Sequence, residues 1–279
     1  MAELLVRTRT ARYLEPAGDP GWFGPGSVTW LVHSDLPSML VGGLSALYLQ
    51  TLHPLVMQGV EDHSGYRSDP FGRLQRTAEF IAATTYGGDA LAWAFVRKVR
   101  AIHDKVTGTG PGGRTYRAAD PDLLAYVHVT EVWSFLRAHQ RYSGHLLVRE
   151  EKDRYLEEMA LVARRLGAAE VPVTTEGVRR YLREMRPELA GSPLARRTVA
   201  FIMSPRPGAS LLERASHTVM AEAGVDLLPE FARRALGLYR PSPARVGLVR
   251  PAGTLFAGAL RFVAGSSPLL EAAHARVAS

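Results

Sequence analysis

DPDLLAYVHVTEVWSFLRAHQRYSGH, residues 120–145, opens with one of the clearest start signals in the chain. Asp120 is a good N-cap residue, and Pro121 suits the first helical position, where its missing N–H goes unused and its φ is already helical. Behind them His128, Glu131, Val132, Phe135 and His139 recur at three- and four-residue spacing. The segment therefore reads as one helix running to about His145, with two histidines and a carboxylate on one face.

The same periodicity extends in both directions, and alternating strand patterns are nearly absent, so the expected fold is all-α in a single domain spanning residues 1–279. Residues 1–27 read as a polar, Gly/Pro-containing lead-in. The run Pro37 to Val60 is long and free of formal charge, but Gln50, His53, Pro54 and Gln58 interrupt it. It is expected to be a buried core helix kinked at Pro54, with Ser38 as its cap, and not a transmembrane anchor. A helix should follow Asp69-Pro70 and stop at Gly87-Gly88, and a second, capped by Asp89, should run to about Thr107, making an antiparallel hairpin. Later helices are expected at about Lys152–Leu166, Thr175–Met185, Ser192–Met203, Leu211–Ala223, Leu228–Leu236, Leu255–Val263 and Pro268–Val277. Between the last three, Arg240 to Gly253 reads as a Pro/Gly-rich surface excursion.

Composition narrows the chemistry. The 279 residues include no cysteine, which removes disulfides, thiolate nucleophiles and thiolate-held metals, so any metal must be held by oxygen or by one of nine histidines. It also fits a reducing compartment, and with no leader visible after Met1 the expected location is cytoplasmic. The net charge is +7, yet the arginines are scattered in pairs without interleaved aromatics, which argues against nucleic acid as a partner. No His-Glu-x-x-His occurs, and the two Glu-x-x-His pairs of a carboxylate di-iron bundle are missing. Gly108, Gly110 and Gly113 match a dinucleotide-loop spacing, but they follow a helix and enclose Pro111, so the strand–turn–helix context fails.

A constellation remains in residues 53–131. Arg73, Arg76, Thr77, Phe80 and Thr84 share adjacent turns of one helix, a face suited to a flat, anionic, otherwise apolar ligand. The plainer alternative is that both arginines sit on the surface and pair with Asp69 and Glu79. On the next helix, Ala92, Val96, Val99, His103 and Val106 form an apolar stripe that turns His103 inward, either as a hydrogen-bonded core histidine or as an axial metal ligand. His128 and Glu131 are a polar relay orienting His103 or a surface pair. His53 is expected to satisfy carbonyls freed at Pro54. Glu61, Asp62 and His63 are a base at a pocket edge or a polar loop.

Several runs in residues 30–142 resemble the MpaB-type oxygenase family, which shares its catalytic domain with the rubber oxygenases called latex-clearing proteins. They are Trp30, Leu40-Val-Gly-Gly43, Gln50-Thr-Leu-His53-Pro54, Gly59-Val60-Glu-Asp-His63-Ser64, Asp69-Pro70, Arg73-Leu-Gln-Arg76-Thr77, Val99-Arg-Ala-Ile-His103, Asp120-Pro-Asp-Leu-Leu124 and Val127-His128. The resemblance is dense over 28–145, while 146–279 follows by helical character. It implies an all-helical protein holding haem b non-covalently, with Arg73 and Thr77 in the family's Arg-x-x-x-Thr motif, Arg76 as its intervening basic residue and His103 as axial iron ligand, which the relay reading of His128 would support. The distal glutamate that serves as base in rubber oxygenases has no certain counterpart: Glu61 lies nearest, at a shorter spacing to Arg73, and His63 competes with it.

The resemblance implies an oxygenase or oxidase using dioxygen on an apolar organic substrate, isoprenoid or another secondary metabolite, rather than on polymeric rubber. Three alternatives stay open: a haem sensor or carrier without turnover, a cofactor-free helical interaction protein, and a non-haem iron enzyme using His103, His128 and a carboxylate. Peripheral membrane contact and the oligomeric state are likewise open.

Overall fold

The computed structural model describes residues 10–238, 243–265 and 267–279. The helices are α1 (Val28–Ser34), α2 (Leu36–Gln50), α3 (Pro54–His63), α4 (Pro70–Tyr86), α5 (Asp89–His103), α6 (Pro121–Tyr142), α7 (Arg149–Leu166), α8 (Thr175–Glu184), α9 (Pro193–Met203), α10 (Leu211–Asp226), α11 (Glu230–Ala235), α12 (Pro243–Ala264) and α13 (Pro268–Ala278). A two-stranded antiparallel ladder, β1 (Thr107–Thr109) and β2 (Thr115–Arg117), is the one sheet among the described residues. The chain is one all-α domain, as its periodicity indicates.

The centre is the pair α2 and α6. Gly42 lets the two backbones close: a Cβ there would lie 2.8 Å from a Phe135 ring carbon and 3.1 Å from the Ser134 carbonyl oxygen. Tyr48, Leu49, Val129, Val132, Phe135 and Leu136 then fill one continuous core with residues of α7, α8, α9 and α10. Fully burying each such apolar side chain stabilises the fold by about 1.5–3 kcal/mol relative to exposure. Tyr126 and Tyr142 are buried alongside, and the Tyr126 hydroxyl donates to the Leu49 carbonyl at 2.6 Å.

The expected start at Asp120 holds: its carboxylate accepts from the Asp122 and Leu123 amides. Asp69 likewise accepts from Gly72 N. Elsewhere local chemistry differs from the sequence reading. Asp35, not Ser38, caps α2, because its longer carboxylate reaches the Ser38 amide. Gly88 occupies the N-cap of α5, and Asp89 falls in its first turn. The expected single kinked helix breaks at Thr51–His53 into α2 and α3, bent by 107°. His53 serves there as the α3 N-cap; its Nδ1 accepts from the Val56 amide at 3.5 Å, so it satisfies an N–H and not a carbonyl.

The Gly-rich loop is a hairpin turn, with Gly112 and Gly113 at φ +70° and +75°, which shortens α5 to His103. The segment 243–253 is helical, continuous with the expected Leu255–Val263 in α12, with Pro251 inside. Among the described residues Arg245–Val263 is the one unbroken helical stretch long and apolar enough to cross a membrane; Leu248, Leu255 and Phe262, seven residues apart, are exposed. The lead-in is tied down: fully buried Arg276 of α13 donates to the carbonyls of Tyr13, Asp19 and Tyr86.

Candidate active site

Two packed helices joined by Gly87-Gly88 must run antiparallel, so residues equally far from the turn share an end of the hairpin. Arg73 and His103 lie thirteen and fourteen residues from the helix ends at that turn, each about 20 Å along its axis at 1.5 Å per residue. The first turn of α4 and the last turn of α5 therefore place the two residues at the same end of the hairpin.

The two arginines divide. Arg76 takes the surface role, donating to Asp69 at 3.2 Å. Arg73 is half-buried, and its guanidinium has no hydrogen bond or ion pair among the described residues. Burial pulls its guanidinium below the usual range and nearby Arg76 acts in the same direction, with Tyr66 opposing. Thr77 and Thr84 bond back to their own helix, Thr77 Oγ1 donating to the Arg73 carbonyl at 3.1 Å. Phe71 and Leu74 beside Arg73 are exposed, and Phe80 and Ile81 are only partly covered. This end of α4 offers an unneutralised cation beside uncovered apolar surface.

His103 is half-buried, and its Nδ1 is enclosed without a hydrogen-bond partner. A helix C-terminus ordinarily favours the protonated ring, yet burial wins and lowers its pKa. Burial thus favours the neutral imidazole, and no protein group bonds its Nδ1.

His128 and Glu131 are interior groups and not a surface pair. Burial, then Arg164, brings His128 down to about 4, and burial alone pushes Glu131 up to about 7. Neither bonds to the other or to His103 among the described residues. Glu131 keeps some accessible surface despite that desolvation.

Glu61 and His63 hold the neighbouring loops. Tyr66 donates to Glu61 at 2.7 Å and, with Arg67, holds its carboxyl below the ordinary range. His63 Nε2 contacts the Thr107 carbonyl oxygen at 3.1 Å, and the Tyr116 hydroxyl donates to Asp62 at 2.6 Å, fastening the β ladder to α3.

Two further histidines are buried: His33, which the sequence reading passed over, and His139, which it placed on the His128 face. His33 bridges the Thr85 hydroxyl (2.8 Å) and the Tyr155 hydroxyl (3.1 Å), with its pKa down to about 3. The field of Glu131 reaches the same tyrosine. Trp30 and His33, three apart behind Ser27, are the signal for this short helix. His139 is 1% exposed with neither ring nitrogen hydrogen-bonded. Among the described residues no three His, Asp or Glu side chains converge as ligands, so His103, His128 and a carboxylate do not form a non-haem iron triad.

A family model described as ER-bound oxygenase mpaB/B′/Rubber oxygenase, catalytic domain, matches residues 30–264. The match includes Arg73, His103, His128 and Glu131 and continues through α12; the lead-in and α13 lie outside it. No curated protein and no solved structure matches. The chain belongs to this family of oxygenases.

Proposed function

We propose that this member of the mpaB/rubber oxygenase family binds haem b non-covalently at the open end of the α4/α5 hairpin and oxygenates a small or medium apolar molecule. The observation that carries the reading is His103: a half-buried imidazole with an enclosed, unpartnered ring nitrogen, at the same end of the hairpin as Arg73, whose guanidinium is unpaired among the described residues. A flat ligand with an anionic edge and an apolar plane needs a cation, an available nitrogen and uncovered apolar surface, and these residues fit it.

In this reading His103 holds the iron, Arg73 neutralises a propionate, and Phe71, Leu74, Phe80 and Ile81 give the macrocycle and substrate an apolar wall that excludes water. Haem bound there supplies dioxygen binding and activation. Glu131, poised near neutrality by burial, holds or releases a proton at its carboxyl oxygen, a role that Glu61 cannot share while Tyr66 and Arg67 hold it ionised.

Haemin titration followed by oxygen-electrode screening tests the proposal. A saturable complex of about one haem per chain, consuming oxygen only when an apolar substrate such as an isoprenoid is added, supports it. Saturable binding without substrate-dependent uptake would make the protein a sensor or carrier, and no binding would remove the haem reading.

A further inference from the structure

Away from the α4/α5 hairpin, the start of α7 and the length of α8 form a cleft of about 460 Å³ lined by Arg149, Lys152, Thr175, Glu176, Arg179 and Arg183. Arg149 and Lys152 are one turn apart on α7, and Arg179 and Arg183 are one turn apart on α8, so two helices each aim a pair of cations into the same space. One lining carboxylate faces four positive charges, and its approach to Arg149 is loose, 3.9 Å between exposed groups. Nearby Asp153 is already spent, accepting from the Thr175 amide at 2.7 Å, and Thr174 Oγ1 takes the Gly177 amide. Two amides of that turn, those of Thr175 and Gly177, are thus occupied, and recognition falls chiefly to the side chains.

The cleft has no aromatic or aliphatic lining residue, so nothing in it stacks on a base or covers a hydrocarbon. Its size is that of a small-molecule site. Guanidinium forks match phosphate oxygens in pairs, and a multivalent anion relieves the mutual repulsion of four cations at once. Arg179 is anchored for this, its guanidinium 5.9 Å from the ring centroid of Trp133. We infer that the cleft between α7 and α8 is a binding site for a small phosphorylated molecule, engaging its diphosphate group. The inference does not depend on haem.

Isothermal titration of the full chain with sodium pyrophosphate at low salt, against sulfate at matched ionic strength, tests it. The expected result is one-to-one binding at least tenfold tighter than sulfate, weakened at least tenfold by Lys152→Gln/Arg183→Gln and within twofold of wild type in Arg97→Gln, an exposed position on α5. Should the double variant fail to fold by circular dichroism, Arg149→Gln decides in its place, with the same loss expected. No binding, binding no tighter than sulfate, or equal binding by the cleft variants would overturn the assignment. So would displacement of pyrophosphate by polyglutamate at lower concentration, which would make the cleft a dock for an acidic protein segment.

Discussion

Arg76 donates to Asp69 at 3.2 Å on the outside of α4, and this pairing leaves Arg73, three residues earlier, as the half-buried cation without a counter-ion. An exposed pair of this kind is screened by solvent and contributes little, whereas a charge-assisted bond to a bound carboxylate contributes about 1.5–3 kcal/mol. Arg73→Ala is therefore expected to weaken haemin binding by about ten- to a hundredfold, and Arg76→Ala by less than about fivefold, read from absorbance titrations. Equal effects would show that the helix merely attracts anions.

Glu131 gives stability a pH dependence of definite sign. Burial raises its carboxyl from 4.5 to about 7 in the folded chain, so between those values the native state holds the proton that the unfolded state has lost. Its contribution is fully present below the lower value and is lost as pH rises through 7. In Glu131→Gln this loss disappears, so the variant gains thermal stability relative to wild type as pH rises from about 4.5 to about 7, while any activity limb near neutrality flattens. Parallel melting curves across that range for both proteins would refute the assignment.

Arg276 satisfies three carbonyls from two distant segments, Tyr13 and Asp19 of the lead-in and Tyr86 at the end of α4. Arg276→Ala strands these buried acceptors, each costing about 1–3 kcal/mol when unmade. The expected loss is at least about 3 kcal/mol in urea unfolding, with increased proteolysis before Gly21. A loss within about 0.5 kcal/mol, the scale of ordinary surface substitutions, would show the clasp to be dispensable.

Gly42 and Gly43 are adjacent in α2 but face different surroundings. A Cβ at 42 meets Phe135 and the Ser134 carbonyl within about the contact limit of backbone on backbone, while one at 43 meets only a Phe135 ring carbon at 4.0 Å. Gly42→Ala is expected to destabilise by about 1–3 kcal/mol through overpacking. Gly43→Ala should gain up to about 1 kcal/mol from the better helix former. Denaturant midpoints of the two variants check the contrast.

Much of this was legible in the sequence, because capping and periodicity are local. Asp120-Pro121 and Asp69-Pro70 announce α6 and α4, and the stripe through Ala92, Val96 and His103 gives the inward direction of His103. What stayed hidden depends on partners far along the chain. Nothing near Glu131 in sequence distinguishes an interior position from a surface one, and the division of labour between Arg73 and Arg76 is set by which guanidinium reaches Asp69. The helix through Pro251 was misread because proline and glycine signals outweighed an apolar face that only the three-dimensional arrangement shows to be exposed. Arg276 carries no local mark at all, since its three acceptors lie 190 to 263 residues away.

The central claim is that His103 holds haem, and its most direct test is the absorption spectrum of purified protein before and after haemin addition, with His103→Ala alongside. The account predicts a sharp Soret band and Q bands at about one haem per chain in the wild type, with stoichiometric loading lost in the variant. Retained loading with an unchanged spectrum in His103→Ala would contradict it.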